Sequence, residues 1–428
     1  MKHTVKELAL KNGAKGLVIN VPDALVMTFN INFRAGEYLV PKNKWEIPHL
    51  MEHVLLGANE LIPRARDFHA ELEKNGAYSN ASTGIYDIEY EAECADFEWD
   101  RVLDLMLIAI SKPLFLEDEY KAEFGNVKEE LAARSNNHFR RLSLEMRKAI
   151  GFIAKTDQER IKLMDNIQIE DLVTHYQKTH FTSNLRFVIA GKINNKRLEE
   201  MIQKIEEINL PKGKKRFDLP SEKLNIPKKP IFIVNRTINN VYFYLDTFLE
   251  RRLNILETDS LSLLNTYLTE TLHSKIMGTA RERGLLYDMS SGISYSKDVT
   301  NWWFGAQLSE ENLKPLIEII ISEISKVRRG GINLDDIEAT KQYLIGRFQR
   351  SAQTVMGTAM GYLSRYFFDE VIDDYYKIPE RINNVTKKDI VDVANAMFED
   401  KKWYYGALGN SSMKEVETTN RQISVLWN

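Results

Sequence analysis

Apolar and polar residues alternate along one early segment of the chain. The apolar positions of this segment are Leu25, Met27, Phe29, Ile31 and Phe33. The positions between them hold Val26, Thr28, Asn30, Asn32 and Arg34. A period of two is typical of a β-strand, and this pattern predicts a strand with one buried face.

The order of the predicted elements indicates the fold class. In each half of the chain strands come first, helices follow, and a strand and a helix close the half. In the second half we predict strands near 231–235 and 241–245, and helices near 259–278, 310–326 and 334–348. This order predicts an α+β fold, in which each half forms a mostly antiparallel sheet with helices packed on one face.

A faint internal repeat divides the chain into two halves. Asp171 and Gly191 stand 20 residues apart, as do Asp389 and Gly409, and the two copies are offset by 218 positions. Each Asp is placed near a predicted helix start, where a negative charge suits the helix dipole. The repeat therefore predicts two homologous domains, which we place at 1–210 and 230–428.

The charge balance argues against a nucleic-acid partner. The 428 residues carry a net charge of −3, and the sequence pI is about 6.3. A protein with this balance has no general affinity for polyanions. We interpret the Lys- and Pro-rich segment 211–229 as a linker between the domains, and its basic run 212–216 as solvated chain.

The N-terminus and the hydropathy predict a cytoplasmic protein without a membrane partner. The first residues lack the apolar run of a signal peptide, and no stretch is apolar enough to span a bilayer. Cys94 is the only cysteine, so no disulfide can form within the chain. We interpret it as a packing residue.

The segment His49-Leu50-Met51-Glu52-His53 predicts a metal site. On a helix it places two imidazoles one turn apart on one face, with a carboxylate on the same side. This arrangement offers a zinc ion two nitrogen ligands and leaves Glu52 free to handle the metal-activated water. The alternative is a surface helix with solvated histidines. A third ligand from elsewhere in the chain would favour the metal site over this alternative.

The stretch 117–131 reads as an acidic helix that could supply this third ligand. Glu123 and Glu130 are seven residues apart and share one helix face, and 76 residues separate His53 from Glu130. For Glu129, and for the acidic residues 117–119, we interpret the carboxylates as a solvated helix face.

The motif and this spacing resemble the pitrilysin/insulinase family of zinc peptidases. That family has the pattern H-x-x-E-H, a spacer of this length and a ligand Glu, with a second Glu seven residues before it. The resemblance implies that His49, His53 and Glu130 bind one Zn²⁺. It implies further that Glu52 is the catalytic base, and that Glu123 does not bind the metal but holds His53 or a helix in place.

Two further segments resemble family motifs. The stretch 76–90 resembles a segment that passes the metal as a sheet edge and pairs with substrate backbone, which assigns substrate binding to Asn80 and Ala81; a hairpin turn is the alternative. The stretch 274–287 resembles a segment whose Arg and Tyr reach the active site from the other domain or another subunit. Arg281 and Tyr287 fit these roles, although they are six residues apart and not the usual seven, and Arg283 competes with Arg281. The alternative for this segment is a cationic helix end capped at Gly284.

The resemblance implies a zinc-dependent endopeptidase that acts on unfolded peptides or small polypeptides. A short two-domain member needs a second copy of the fold to close a chamber around the substrate. The expected assembly is a homodimer, with a heterodimer with a sister subunit as the alternative. The rival function is a non-catalytic subunit of a processing-peptidase-like pair, since some relatives keep the fold and lose the chemistry.

Overall fold

The computed structural model describes residues 1–427. The strands are β1 (Thr4–Ala9), β2 (Lys15–Asn20), β3 (Val26–Phe33), β4 (Tyr78–Thr83), β5 (Ile88–Ala95), β6 (Leu185–Gly191), β7 (Ile231–Val234), β8 (Asn240–Leu249), β9 (Met289–Tyr295), β10 (Thr300–Ser309) and β11 (Trp403–Gly409). The helices are α1 (Ile47–Leu55), α2 (Ala65–Leu72), α3 (Trp99–Ser111), α4 (Glu117–Ser135), α5 (His138–Ala149), α6 (Asp157–Met164), α7 (Ile169–Thr179), α8 (Asn195–Glu206), α9 (Ile255–Asn265), α10 (Met277–Glu282), α11 (Glu310–Arg328), α12 (Leu334–Ser351), α13 (Val355–Asp369), α14 (Ile378–Asn384), α15 (Lys387–Glu399) and α16 (Met413–Ile423). Within the described residues, no helix has the length and apolar character needed to cross a lipid bilayer.

The chain forms two compact units, and neither is continuous in sequence. The first unit comprises Met1–Ala133, Gln158–Leu219 and Gln349–Tyr375. The second comprises Arg134–Asp157, Pro220–Phe348 and the described residues from Tyr376 onward. Each unit therefore keeps most of one sequence half and takes a short segment from the other. The continuous boundaries 1–210, 211–229 and 230–428 stay a prediction.

The first unit is built on a six-stranded sheet in the order β1-β2-β6-β3-β5-β4. Strands β2 and β6 are parallel and every other neighbouring pair is antiparallel. One face of β3 carries Met27, Phe29, Ile31 and Phe33, which are buried in the main core together with apolar residues of α1, α3 and α7. This face holds the helices that form the site described below.

The prediction that β3 has one buried face is wrong, because both faces are buried. Thr28, Asn30 and Asn32 are at most 1% exposed. They face α13, whose residues come from the second half of the sequence and pack on β3 and β6. Arg34 donates hydrogen bonds to the carbonyl oxygens of Phe367 and Phe368 at 3.2 and 2.6 Å. A polar strand face is buried here because a distant helix covers it, while Asn30 and Asn32 donate hydrogen bonds to Val188 and Asp87 of the first unit.

In the basic run 212–216, which we interpreted as solvated chain, the side chain of Arg216 is largely buried. Arg216 donates to Asn32 Oδ1 at 2.8 Å and pairs with Glu370 at 3.3 Å, and its side chain is 8% exposed. The neighbouring residues 212–215 are exposed, as predicted. The guanidinium therefore ties this part of the connecting segment to the first sheet.

The second unit repeats the sheet plan of the first. Its sheet has the order β7-β11-β8-β10-β9, in which β7 and β11 are parallel and the other pairs antiparallel. Asp171 begins α7 in a capping box with Gln168, and Asp389 begins α15 in a capping box with Thr386. Each of these helices leads to a central strand, β6 or β11. The α+β fold class and the duplication are thereby confirmed.

The single helix predicted near 259–278 is wrong. Helix α9 passes into a π-helical turn over Thr266–Glu270, and the backbone is extended at Thr271 before α10 begins. The Thr269 hydroxyl donates to the Asn265 carbonyl oxygen at 2.7 Å and lies 2.5 Å from the Ser291 hydroxyl oxygen. Threonine is a weak helix former because its branched side chain is restricted and its hydroxyl competes for backbone groups. The three threonines in this short stretch explain why the helix stops.

Candidate metal centre

Helix α1 holds the H-x-x-E-H segment as the sequence predicted. Pro48 stands in its first turn, where the missing N–H has no helical partner to lose. Leu50, Met51, Val54 and Leu55 bury the opposite side of the helix in the main core. This packing fixes the rotation of the helix, so His49, Glu52 and His53 lie together, with one ligand atom from each within 4.8 Å of the others.

Glu130 completes a set of three possible metal ligands. Its Oε2 lies 3.3 Å from His49 Nε2 and 3.6 Å from His53 Nε2. Val127 and Leu131 on the same helix, α4, are fully buried, and their packing orients Glu130 toward the histidines. Ligand atoms around a tetrahedral zinc ion, with bonds of about 2.0–2.1 Å, lie about 3.4 Å apart. The two imidazoles and this carboxylate therefore fit a zinc ion.

A carboxylate holds the other nitrogen of each histidine. His49 Nδ1 lies 3.0 Å from Glu46 Oε2, and His53 Nδ1 lies 2.8 Å from Glu123 Oε2. A carboxylate accepts from an Nδ1–H, which leaves the Nε2 lone pair free for a metal. Both Nε2 atoms point to the same carboxylate, that of Glu130. The tautomer needed for metal binding is thus set on both rings.

Burial and charge shift the pKa values of this cluster in opposite directions. Burial lowers the pKa of His49, but its hydrogen bonds to Glu130 and Glu46 outweigh this effect and raise it to about 9. Burial raises the pKa of Glu46 and Glu123, but the hydrogen bonds with the histidines bring both below the usual value. In the absence of metal, these shifts favour a protonated His49 beside an ionised Glu46.

Glu52 is not one of the three possible metal ligands that converge in this site. It is 8% exposed, and its Oε2 accepts a hydrogen bond from the Thr83 hydroxyl at 3.0 Å. Burial raises the pKa of Glu52, and the nearby imidazoles of His53 and His49 act in the other direction. A carboxylate with a raised pKa is suited to take up a proton and release it again.

Asn80 and Ala81 lie in the last strand of the first sheet. Strand β4 pairs with β5 on one side and has no partner strand on the other within the described chain. Ala81 packs against the main core and Thr83 reaches Glu52, so this face of β4 looks toward α1. Asn80 is exposed and, by alternation, belongs to the opposite face. Both residues lie in the strand itself, outside the hairpin turn.

Arg281 and Tyr287 belong to the second unit and contact each other. The Arg281 guanidinium lies 4.6 Å from the centre of the Tyr287 ring and donates to the Tyr287 carbonyl oxygen at 2.5 Å. Tyr287 is 81% exposed. Arg283 is also exposed, and Gly284 follows with φ of +67°, so the helix end is capped as the alternative interpretation held. The structure thus groups the predicted residues into one set around α1 and α4 and another at the C-terminal end of α10.

Sequence reasoning missed three residues of the site: Glu46, Arg160 and Thr83. Glu46 could have been found, because it stands one helical turn before His49 and shares its face. Arg160 donates to both carboxylate oxygens of Glu46, at 2.5 and 2.9 Å, across 114 residues of chain. No local pattern indicates such a contact.

Two family models match the chain. The model described as Insulinase (Peptidase family M16) matches residues 21–162. The model described as Peptidase M16 inactive domain matches residues 166–344. The first match contains all the residues described above around α1, including Arg160, and the second contains no H-x-x-E-H segment.

Individual relatives are similar at low identity. An uncharacterized zinc protease of Rickettsia felis is 20% identical over 408 residues, which cover 93% of this chain and 96% of that protein. The insulin-degrading enzyme of Drosophila melanogaster is 26% identical over 213 residues, which cover 47% of this chain and 21% of that enzyme. This second likeness therefore concerns only part of a much longer protein.

Two solved structures share the fold over nearly the whole chain. A protease from Helicobacter pylori matches with a TM-score of 0.84 at 18% identity, covering 96% of this chain and 100% of that one. A structure described as the peptidase M16 inactive domain, from Pseudomonas fluorescens, matches with a TM-score of 0.82 at 16% identity, covering 96% and 98%. At these identities the likeness shows the fold alone.

Proposed function

Because the chain belongs to the insulinase family of peptidases, M16, we propose that it is a zinc-dependent endopeptidase that hydrolyses unfolded peptides or small polypeptides. One observation carries this proposal. His49 Nε2 and His53 Nε2 converge on Glu130 Oε2 within 3.6 Å, and Glu52 stands beside them as a buried carboxyl with a raised pKa. Three protein ligands with a fourth position left for water are typical of catalytic zinc, whereas structural sites use four protein ligands.

Each residue of the site has a distinct proposed role. His49, His53 and Glu130 hold one zinc ion per chain, and Glu123 orients His53 through its Nδ1. When bound, zinc supplies Lewis-acid chemistry: it polarises the scissile carbonyl group and makes water more acidic. Glu52 takes the proton from the attacking water and then passes it to the leaving amine. The Thr83 hydroxyl holds the Glu52 carboxylate toward the site during both transfers.

The free edge of β4 is the proposed binding place for the substrate backbone. An extended peptide can add a strand to an exposed sheet edge through main-chain hydrogen bonds. Asn80 and Ala81 lie on this edge strand, and Thr83 on the same strand contacts Glu52. A peptide paired there would run past the catalytic carboxylate. Most of the backbone of a folded protein is already paired within its own structure, so we propose unfolded peptides as substrates.

The second unit supplies the remaining proposed substrate contacts. Arg281 and Tyr287 are exposed and stacked, and a guanidinium and a phenol are suited to stabilise a developing oxyanion. We propose that they act in a dimer of this chain, in which two copies of the fold enclose the substrate. The preferred assembly is a homodimer, because the chain carries both the ligand set and the Arg–Tyr segment.

A second candidate function is that of a partner-dependent subunit in a heterodimer. The spacing of six residues between Arg281 and Tyr287 favours it, because the family segment has seven. In that case a sister chain would complete the site, and the pure chain would bind zinc without cleaving peptides.

The test is to express this chain alone and to measure its zinc content, its sedimentation and its hydrolysis of a short peptide and of a folded protein. The proposal predicts one zinc per chain, a dimer and cleavage of the peptide only. Zinc without cleavage would favour the heterodimer. Absence of zinc, full activity in a strictly monomeric sample, or efficient digestion of the folded protein would contradict the proposal.

A further inference from the structure

A buried ion pair lies directly behind the first histidine of the metal centre. Glu46 is fully buried, and Arg160 on α6 is 8% exposed. The guanidinium donates from Nε to Glu46 Oε1 at 2.5 Å and from Nη2 to Glu46 Oε2 at 2.9 Å. The same Oε2 atom accepts from His49 Nδ1 at 3.0 Å. The three side chains form one continuous hydrogen-bonded chain that ends at the metal-facing Nε2.

We propose that Glu46 and Arg160 are positioning residues that set the tautomer and orientation of His49 for metal binding. The inference rests on the proposed zinc site. A neutral imidazole carries its proton on either nitrogen, and only the Nδ1–H form presents Nε2 to a metal. Glu46 selects this form because it accepts from Nδ1. A carboxylate partner of this kind also makes the ligating nitrogen more basic.

Arg160 adds a constraint that Glu46 alone does not provide. Glu46 stands in the turn that precedes His49, so its carboxylate is close enough to the cluster to move toward a cation. The two parallel hydrogen bonds from Arg160 fix both carboxylate oxygens and compensate their charge. A second buried carboxyl, that of Glu37, lies 3.9 Å from the same guanidinium. Glu37 therefore adds a weaker contact to the guanidinium, and Arg160 keeps Glu46 as a hydrogen-bond acceptor for the imidazole.

The competing explanation is that the pair only joins α6 to the start of α1. Buried ion pairs can serve packing alone, and removing one partner leaves an uncompensated charge that destabilises the fold. A single substitution cannot separate the two explanations. A double variant can, because Glu46→Gln with Arg160→Met removes both charges of the pair, and thermal unfolding of the metal-free chain reports any cost of leaving the Glu37 carboxyl without Arg160.

The experiment measures the zinc dissociation constant by competition with a chelator, together with thermal unfolding of the metal-free chain. The full chain is used as wild type, as Glu46→Gln and as the double variant Glu46→Gln/Arg160→Met. The matched control is Asp96→Asn, which disrupts another two-pronged Arg–carboxylate pair of the first unit, that of Asp96 with Arg197. The absorption spectrum of the cobalt-substituted chain reports the ligand geometry independently of affinity.

We expect zinc to bind about 10- to 100-fold more weakly in both Glu46 variants, the range typical for partners of metal-ligating histidines. The double variant should fold like the wild type and yet show this loss and an altered cobalt spectrum, while Asp96→Asn should change neither. A double variant that binds zinc with the wild-type dissociation constant overturns the inference and leaves the zinc site intact. A wild-type chain that binds no zinc would instead refute the proposed function, so the two failures are distinct.

Discussion

The two units share a sheet plan and differ in the helix that follows the corresponding central strand. In the first unit, β3 leads to α1, which carries His49, Glu52 and His53. In the second unit, β8 leads to α9, where the buried residues include Ser260, Leu261 and Leu264, and α9 passes into a π-helical turn. The shared fold depends on buried strands and capped helices, which both units have. The candidate chemistry depends on the two histidines and the glutamate of the H-x-x-E-H segment, which α1 carries and α9 lacks.

The covered back faces of the two sheets show a second difference. In the first unit, α13 covers the polar residues Thr28, Asn30 and Asn32 of β3. In the second, α5 covers an aromatic face of β8, where Tyr244 stacks on Trp303 at 5.1 Å and contacts Phe139 at 5.3 Å. Hydrogen bonds from Asn30 and Asn32 characterise the first face, and ring packing characterises the second. The same sheet topology is therefore compatible with a polar face or an aromatic face beneath the covering helix.

Removing a proposed metal ligand should have the largest effect, because it abolishes the proposed metal site that distinguishes the first unit from the second. Glu130→Gln should lower the zinc content from one per chain to nearly none, and peptidase activity should fall about a thousandfold or more. The measurement is metal analysis after dialysis. His273→Ala in the second unit is the control and should keep the zinc. Full zinc content in Glu130→Gln would refute the ligand assignment.

Glu52→Gln should separate metal binding from chemistry within the first unit. An amide cannot take the proton of water, so activity should fall about 10²- to 10⁴-fold while the zinc content stays unchanged. The measurement is kcat on a short peptide alongside metal analysis. Thr83→Val is a companion variant that removes the hydrogen bond to Glu52 and should cost less. A Glu52→Gln chain that turns over at the wild-type rate would show that another group is the base.

Core substitutions in the two covering helices should show which unit each helix stabilises. Leu142 on α5 is fully buried with Tyr244, Phe248 and Leu408 of the second unit. Leu142→Ala should destabilise that unit by about 2–5 kcal/mol. Hydrogen exchange should then increase in β8 and β11 while β3 stays protected. Leu363→Ala on α13 is the reciprocal variant and should expose β3 and β6. Equal loss of protection in both sheets after either change would contradict the assignment of these helices.

The sequence predicted those parts of the site whose signals are local or have a known spacing. The helical positions of His49, Glu52 and His53 follow from the period of 3.6 residues, and Glu130 follows from its distance in the chain. Arg160 could not be predicted, because its contact with Glu46 joins segments 114 residues apart and needs the folded structure.

The errors in the predicted fold have different causes. The polar face of β3 predicted exposure, whereas the distant helix α13 and Arg216 of the connecting segment cover it. We predicted one helix over 259–278, whereas in the structure the helix ends early, at the hydrogen bonds of the Thr269 hydroxyl. Tertiary contacts decided the first outcome, whereas the threonines that accompany the second are a local feature that the prediction did not weigh.

The pH dependence of zinc binding should sharpen the description of the first unit. The pKa of His49 is raised to about 9 in the absence of metal, so the ring holds a proton at neutral pH that zinc must displace. The apparent affinity should therefore rise with pH, by up to about tenfold per unit, and level off above pH 9. Chelator competition at pH 7, 8 and 9 is the measurement. An affinity independent of pH over this interval would contradict a proton on His49.

The smallest expected effect tests whether the second unit contributes to catalysis at all. Arg281 stacks on Tyr287 at 4.6 Å, and this contact orders an exposed phenol beside an exposed cation. If the pair stabilises a developing oxyanion, Arg281→Ala should lower kcat/KM for a peptide about tenfold, which is a modest share of what a buried donor contributes. Arg283→Ala is the matched control, since it removes an exposed cation two residues away. Zinc content and sedimentation should stay unchanged in both variants. Equal activity of the two variants would remove the proposed role of Arg281, whereas a larger loss in Arg283→Ala would transfer that role to Arg283. Either result would decide between the two arginines that the shortened spacing leaves open.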